Sequence, residues 1–205
     1  MARENMTKDR RAEIVEVTTG LFLDSGFAGT SMSAVARACG ITKATLYHHF
    51  PGKDDLFAAC VTHGYAEALD RVQEIAASDR GPEDKLREAM EVLYDVTICS
   101  PVGRMSPLIA EVAQAFPNVA RSFHDGYVAP QQALIARIVE DGVARGTFRE
   151  IDHKLLSHVL MGPIVTLSLS REMFVDFKDL DDHFPIEPLK QGHVEMLLQA
   201  LRPPG

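Results

Sequence analysis

A short stretch near the start of the chain concentrates side chains that are suited to contact phosphate groups. Between Arg37 and Lys53 there are three cations and two adjacent histidines, but no aspartate or glutamate. The same stretch holds Thr42, Thr45 and Tyr47, whose hydroxyls can donate hydrogen bonds to phosphate oxygens. This combination of residue types indicates a contact surface for nucleic acid.

The charge of the whole chain is unfavourable for such a role, so its distribution matters. The 205 residues carry a net charge of -8, yet residues 1–53 contain seven Lys or Arg against five Asp or Glu. The remainder of the chain therefore carries -10. A basic head on an acidic body predicts two roles, with double-stranded DNA bound by the head.

Composition limits the class of protein. Hydrophobic residues make up 46% and charged residues 24% of the sequence, the balance of a soluble globular protein. No run of about 18 apolar residues occurs, and the start, MARENMTKDRR, is not followed by a signal-peptide core. We therefore expect a cytoplasmic protein that has no membrane partner and needs no cofactor.

Helical periodicity runs through the whole sequence and no alternating strand pattern occurs, so the predicted fold class is all-α. In the head, a helix from about Thr7 to Gly26 precedes two short helices, one capped by Thr30 or Ser31 and the other by Thr42. A long helix then begins at Lys53 and ends near residue 77. Further helices are predicted near residues 82–99, 105–115, 117–145, 152–175 and 187–201.

Two short helices joined by a glycine-containing turn form a helix-turn-helix, whose second helix can enter the major groove of DNA. We predict that the apolar side chains of this unit are buried, namely Val35, Ala36, Cys39, Ile41, Leu46 and Phe50. Short or directed groups at the start of the second helix are suited to read bases, and the hydroxyls, imidazole and ammonium groups are suited to contact phosphate. The predicted DNA-contacting residues are Thr30, Thr42, Lys43, Ala44, Thr45, Tyr47, His48 and Lys53.

The segment TSMSAVARACGITKATLYHHFPGKDDLF resembles the DNA-binding signature of the tetracycline-repressor (TetR) family of bacterial regulators. The resemblance rests on Gly40, Thr45-Leu46-Tyr47, His49-Phe50 and Lys53 at their fixed spacing. It implies a helix-turn-helix domain at residues 1–53 and a ligand-binding and dimerisation domain at residues 54–205. It also implies a homodimer that binds a palindromic operator, acts as a repressor and is released by a small-molecule effector.

The resemblance places the effector among the central helices of the larger domain. That region offers flexible apolar and aromatic side chains with few polar ones, so we expect a largely apolar effector. The predicted ligand-binding residues are Met90, Tyr94, Arg104, Met105, Leu108, Phe123, His124 and Tyr127.

Two apolar segments near the C-terminus resemble the four-helix dimer interface of the family. The first, near residues 155–174, is apolar on several faces of a helix, and a helix of that kind must be buried in its own chain or against a partner. Within it, Leu167 is predicted to face the partner. The second is the stripe Val194, Met196, Leu197, Leu198 and Leu201.

Two other classes of function remain as alternatives. The three widely spaced cysteines, Cys39, Cys60 and Cys99, fit neither a disulfide framework nor a zinc site, but one of them could make the chain a thiol-redox-switched regulator. An all-helical enzyme is the remote alternative, because no HExxH, GxSxG or phosphate-binding glycine loop is present. Metal binding by His48 and His49 is disfavoured, since adjacent helical residues point about 100° apart.

Overall fold

A computed structural model describes residues 2–204 of the chain, with the side chains described from Arg10 onward. Every regular element in this part of the chain is helical and none is a strand, which confirms the all-α prediction. The chain forms two compact units. The head unit comprises the residues up to Ala66 together with Met105–Tyr127, and the body unit comprises Glu67–Arg104 together with the residues from Val128 onward. The predicted division after residue 53 does not follow these units, because residues 105–127 group with the head.

The head unit contains three N-terminal helices and a second group that comes later in the sequence. Its helices are α1 (Ala2–Gly29), α2 (Met32–Ala38), α3 (Lys43–His49), the first half of α4 (Lys53–Ala77), α6 (Ser106–Ala115) and α7 (Pro117–Phe123). Two predicted helix stops are confirmed by left-handed glycines. Gly26 has a φ of 69° where α1 is kinked, and Gly40 has a φ of 63° after α2.

An aromatic cluster joins these helices. The Phe22 ring packs edge-on against the Phe57 ring of α4 with centroids 5.0 Å apart, and Phe27 packs against both Phe57 at 5.4 Å and Phe116 at 5.4 Å. Nearby, the Nδ2 of Asn118 in α7 donates to Oδ2 of Asp54 in α4 at 2.7 Å. The corner between α6 and α7 is thus packed against α1 and α4, the helices on either side of the helix-turn-helix.

The body unit contains the second half of α4 and five further helices. These are α5 (Pro82–Tyr94), α8 (Ala129–Ala144), α9 (His153–Met173), α10 (Leu180–His183) and α11 (Ile186–Leu201). A π-helical turn, Asp95–Cys99, extends α5, and a second one, His124–Val128, separates α7 from α8. The single helix predicted over residues 117–145 is therefore two helices, and the short α10 was not predicted.

A buried histidine compensates for a proline inside α9. Pro163 has no N–H to donate to the carbonyl of Val159 one turn earlier. Nε2 of His193 in α11 lies 3.1 Å from that carbonyl oxygen, and Nδ1 lies 2.9 Å from the hydroxyl of Tyr94 in α5. Because a carbonyl can only accept, Nε2 carries the proton and Nδ1 accepts from Tyr94. One neutral imidazole thus connects three helices of the body unit.

The faces of α9 and α11 differ from the prediction for the dimer interface. Leu167, Val194, Leu197, Leu198 and Leu201 are all buried within the body unit, so the prediction that they face a partner is wrong. Their side chains fill the chain's own core, together with Leu156, Leu160 and Ile164 of α9. Of the predicted stripe on α11, Met196 alone is exposed, and Leu189 is exposed on the same helix.

A buried lysine of α5 holds the C-terminal end of α4 within the body unit. Nζ of Lys85 in α5 donates to the carbonyl of Ala76 at 3.1 Å, and it lies 4.0 Å from Oδ2 of Asp141 in α8. A cation at a helix C-terminus interacts favourably with the unpaired carbonyls of the last turn. Among the described residues, no helix has both the length and the apolar character needed to cross a bilayer.

The stability of the fold should depend on pH through His193. Burial lowers the pKa of His193, so the unfolded chain binds a proton below about pH 6.5 that the folded chain does not take up. The contribution of His193 to the free energy of unfolding is therefore present above that pH and is lost as the pH falls through it. Between pH 7.5 and 5.5 we expect the wild type to lose about 1 kcal/mol more unfolding free energy than His193→Gln, which cannot titrate. Urea unfolding of both proteins at the two pH values measures this, and equal losses would contradict the neutral histidine.

Candidate nucleic-acid interface and effector region

The second helix of the helix-turn-helix, α3, presents one apolar and one polar face. Leu46 and the following Phe50 are buried, as predicted, together with Val35 and Ala36 of α2, whereas Cys39 and Ile41 are half-buried. The opposite face is exposed and carries the predicted contact residues Lys43, Ala44, Thr45, Tyr47 and His48. Tyr47 is 49% exposed although it is aromatic, which leaves its ring and hydroxyl available to a partner.

The start of α3 is organised by two threonines. Oγ1 of Thr42 accepts a hydrogen bond from the backbone N–H of Thr45 at 3.1 Å and lies 2.9 Å from Oγ1 of Thr45. This cap satisfies one of the amides of the first turn that have no partner within the helix. Amides at a helix start favour an anion, and both threonines are exposed.

Two of the predicted phosphate-contacting residues are engaged elsewhere in the head unit. Thr30 is only 2% exposed, and its hydroxyl donates to the carbonyls of Gly26 at 2.8 Å and Leu21 at 3.1 Å. Nζ of Lys53 donates to the carbonyls of Phe27 at 2.7 Å and Thr30 at 3.0 Å. It also lies 4.2 Å from the centroid of the Phe27 ring. This geometry favours a structural role for both residues at the end of α1, and Ser31 rather than Thr30 caps α2.

Cations that the prediction left out lie next to α3 and its turn. The guanidinium of Arg11 in α1 lies 4.7 Å from the centroid of the Phe50 ring, and Nη2 of Arg10 donates to the carbonyl of Cys39 at 3.1 Å. Arg37 is exposed in the last turn of α2. The adjacent arginines of α1 were visible in the sequence, but only the packing of α1 against the turn brings them close to α3.

The two adjacent histidines of α3 have different surroundings. His48 is exposed, whereas His49 is half-buried, with its ring centroid 5.6 Å from that of His48. Burial lowers the pKa of His49, and the neighbouring His48 and arginines of α1 lower it further. His48 is therefore placed to face a ligand, and His49 packs as a neutral ring. Among the described residues, no cluster of three His, Cys, Asp or Glu side chains could hold a metal ion.

Two predicted effector residues of the head unit, Phe123 and Tyr127, belong to an aromatic stack. Tyr65 of α4 and Tyr127 are both buried, and their rings are stacked with centroids 4.1 Å apart. Phe123 packs on Tyr127 at 5.6 Å, and it lies 5.4 Å from Tyr65. Met105 is buried and Leu108 is half-buried. Tyr65 was missed because a single aromatic in a long helical pattern looks like ordinary core.

The predicted effector residues of the body unit divide between core and surface. Met90 and Tyr94 are buried, and Tyr94 is committed to His193. Arg104 is exposed and pairs with Glu172 of α9 at 3.3 Å. His124, in the head unit, is also exposed, and its Nδ1 lies 2.8 Å from Oδ1 of Asp125. Arg104 and His124, the charged or titratable members of the predicted set, thus face carboxylates at the surface.

The environments of the three cysteines do not favour a reactive thiolate. Cys60 is buried, and burial raises its pKa to about 12. Burial also raises the pKa of Cys39, which is half-buried. The pKa of Cys99 is raised by desolvation and by the nearby Asp95, although the residue is exposed. A thiol whose pKa is raised is a poor nucleophile at neutral pH, which weakens the redox alternative.

Two family models match the chain. The model for bacterial regulatory proteins of the tetR family matches residues 14–60, which include the helix-turn-helix. The model for the tetracyclin repressor-like C-terminal domain matches residues 77–182, just over half of the 205 residues.

Similar proteins include a regulator matched by sequence and two regulators of known structure. The HTH-type transcriptional regulator PksA of Bacillus subtilis is 27% identical over 143 residues, which cover 66% of this chain and 67% of PksA. AibR, whose structure was solved in complex with isovaleryl coenzyme A and operator DNA, is 25% identical in sequence to this chain. The two structures match with a TM-score of 0.67 over 92% of this chain and 98% of the AibR chain. FadR of Bacillus subtilis in complex with stearoyl-CoA has a TM-score of 0.76 over 93% and 99% of the two chains, and at 16% identity it shows the fold alone.

A stability measurement can distinguish a structural role of Lys53 from its predicted contact with phosphate. Lys53→Met should lower the free energy of unfolding by about 1–2 kcal/mol, because the carbonyls of Phe27 and Thr30 lose a charged hydrogen-bond donor. Thermal or urea unfolding measures this change. Lys43→Met is the matched control, since Lys43 is exposed on α3 and its replacement should leave stability unchanged. Unchanged stability of Lys53→Met together with weaker DNA binding would restore the phosphate-contact assignment.

Proposed function

The chain belongs to the TetR family of bacterial regulatory proteins, and we propose that it is a repressor that binds a palindromic operator as a homodimer and is released by a small acyl compound. The observation that supports DNA binding most directly is the exposed face of α3. It combines Lys43, Thr45, Tyr47 and His48 with a capped helix start, and no carboxylate lies between Arg37 and Lys53. A surface of this kind attracts the phosphate backbone and offers short side chains to base edges.

Each exposed residue of α3 has a proposed role. Lys43, Ala44 and Thr45 lie in the first turn, which enters the major groove in helix-turn-helix proteins, and we assign them to base edges. Tyr47 and His48 lie one turn later, and we assign them to phosphates on either side, together with the amides at Thr42. Arg37 at the end of α2 is a further phosphate-contacting residue in this proposal.

A palindromic operator requires two heads related by a twofold axis. The exposed apolar side chains of α9 and α11 support this assembly. Leu155, Leu169 and Met173 of α9 and Met196 of α11 are each at least 46% exposed. An exposed apolar stripe on two neighbouring helices is typical of a surface that is buried against a partner.

We propose an acyl-CoA thioester as the effector. AibR, which is 25% identical to this chain, was solved with isovaleryl coenzyme A and operator DNA. The apolar surroundings of Tyr65, Phe123 and Tyr127 suit the acyl chain of such a thioester. These aromatic rings are closely stacked, so a ligand that enters among them must move α7 or α4.

The packing of the head unit supplies a path from such a movement to the DNA-binding surface. Phe116 and Asn118, at the corner of α6 and α7, contact Phe27 of α1 and Asp54 of α4. A shift of α7 would therefore disturb the helices on which α2 and α3 are packed. Each tenfold loss of operator affinity requires the effector to favour the released state by about 1.4 kcal/mol. We propose no catalytic activity, and we expect the protein to act in the cytoplasm.

The assignment of base and phosphate contacts predicts different outcomes for neighbouring residues. Tyr47→Ala should weaken binding to operator and to nonspecific duplex alike, by about tenfold, because a phosphate contact carries no sequence information. Thr45→Val should change the preferred base at one position of each half-site, since it replaces a hydroxyl with a methyl group. Gel-shift titrations on an operator selected in vitro and on a random duplex measure both effects.

Thr45→Ser is the control for the cap in this experiment. It keeps the hydroxyl that lies 2.9 Å from that of Thr42 and should retain the helix start. If Tyr47→Ala and Thr45→Val both bind like the wild type while remaining folded, α3 is not the recognition helix.

The effector proposal predicts coupled stabilisation and release. Acyl-CoA thioesters of increasing chain length should raise the melting temperature, since a ligand at a hundred times its Kd stabilises the bound state by about 2.7 kcal/mol. The stabilising compounds should also release the operator in a gel-shift assay. Asn118→Ala should keep the thermal shift but require more ligand for release, because the contact with Asp54 is lost. Release by thiol oxidation, with no acyl-CoA active, would favour the redox alternative instead.

A further inference from the structure

The two adjacent arginines of α1 make different contacts in the head unit. Nη2 of Arg10 donates to the carbonyl of Cys39 at 3.1 Å, and Nη1 of Arg10 pairs with the carboxylate of Glu13. Arg10 is thereby bonded to the turn between α2 and α3, and Glu13 neutralises its charge. Arg11 is exposed, and among the described residues no hydrogen bond or ion pair engages its guanidinium. That group lies over the Phe50 ring, 4.7 Å from the centroid.

Contact with an aromatic ring leaves the hydrogen-bonding edge of a guanidinium free. The N–H donors of arginine lie in the plane of the group, whereas the face of the ring attracts its positive charge. A guanidinium held in this way can still donate two parallel hydrogen bonds to one phosphate. Phe50 is buried in the core, so it restricts the rotamers of Arg11 before any ligand is present. Less conformational entropy is then lost when a phosphate binds.

A row of ring contacts connects Arg11 with the exposed face of α3. The centroid of the His48 ring lies 5.6 Å from that of His49, and the centroid of His49 lies 6.4 Å from that of Phe50. His48, at the start of this row, is exposed. Burial lowers the pKa of His49, and His48 and Arg11 lower it further. The charge of Arg11 therefore lies beside the last turn of α3.

The surroundings of Arg11 are positive. Arg10 and His48 act on the same imidazole of His49 as Arg11 does. Within the part of the chain that the structure describes, no carboxylate pairs with Arg11, although Glu13 pairs with the neighbouring Arg10. Like charges that are held together destabilise a free protein, and they become favourable once an anion binds. The arrangement is therefore typical of a surface that meets phosphate.

We propose that Arg11, with its guanidinium held over Phe50, binds a backbone phosphate of the operator beside the phosphate assigned to His48. In this proposal Arg10 only positions the turn between α2 and α3. The proposal rests on the DNA binding given as the proposed function, and it extends the contact surface from α3 to α1. A phosphate contact carries no sequence information, so Arg11 fixes the orientation of α3 in the groove and not the choice of base.

The salt dependence of DNA binding tests this assignment. Each phosphate contact contributes about 0.9 to the slope of log K against log salt concentration, so Arg11→Gln should reduce the slope by about 1.8 for a dimer on two half-sites. Its affinity for operator and for random duplex should fall alike, by about tenfold. Arg11→Lys should keep the slope but bind more weakly than the wild type, because an ammonium cannot donate the paired hydrogen bonds. Arg10→Gln is the matched control and should keep the wild-type slope.

A double-mutant cycle with Phe50→Leu tests the part of the ring. Leucine keeps an apolar anchor for α3 but cannot attract the guanidinium through a π-system. Phe50→Leu should weaken operator binding by about threefold in the wild type and by less in the Arg11→Gln background, where the cation is already absent. Equal losses in both backgrounds would overturn the role of Phe50 in holding Arg11. Thermal unfolding without DNA checks that the four proteins of the cycle are folded.

The same titrations separate this proposal from DNA binding itself. If the wild type binds operator and Arg11→Gln keeps both its slope and its affinity, Arg11 does not contact phosphate, while α3 remains the recognition helix. An unchanged slope with a lower melting temperature would assign Arg11 a structural role and would also overturn the proposal. A reduced slope for Arg10→Gln alone would transfer the contact to Arg10. A wild type that binds neither operator nor random duplex would overturn the proposed function and the contact together.

Discussion

The packing of α9 in the body unit depends on the hydrogen bond that one of its carbonyl oxygens accepts. Pro163 removes the donor that Val159 would have in an ordinary helix, and His193 replaces it from α11 while its other nitrogen accepts from Tyr94 of α5. The hydrogen bond to this part-buried carbonyl contributes about 0.5–1.5 kcal/mol. The replacement also fixes which faces of α9 and α11 meet. Leu156, Leu160, Ile164 and Leu167 turn inward with Val194 and Leu197, whereas Leu155, Val159, Leu169 and Met173 are left exposed.

The head unit solves a different problem, because α2 and α3 have only seven residues each and are too short to be stable alone. Their ends are capped by the side chains of Ser31 and Thr42, and Leu46 and Phe50 anchor α3 in the core. Lys53 and Thr30 use their donors to hold the end of α1. With its structural needs met by these groups, α3 keeps five exposed side chains for a partner.

The features of the head that depend on local signals could be predicted from the sequence. The contacts between residues far apart in the sequence could not. The stops at Gly26 and Gly40, the cap at Thr42 and the two faces of α3 all follow from residues within one or two turns. The donors of Lys53 are bonded to carbonyls 23 and 26 residues away, and no local pattern shows that. In α9, a sequence that is apolar on several faces cannot distinguish the inner Leu167 from the outer Leu169. The π-helical turns also escaped prediction, because an i→i+5 hydrogen bond has no residue preference comparable to that of a cap.

The uneven charge of the chain acts on the encounter with DNA before any contact forms. The residues after Lys53 carry -10, and phosphates repel them over the Debye length of about 8 Å at physiological salt. The acid-free stretch around α3 is attracted over the same distance. With α3 as the proposed recognition helix, collisions that lead with α3 should persist, and those in other orientations should be short-lived. We expect the acidic residues after Lys53 in this way to reduce the time that the protein spends on DNA in unproductive poses, without adding a contact to the bound state.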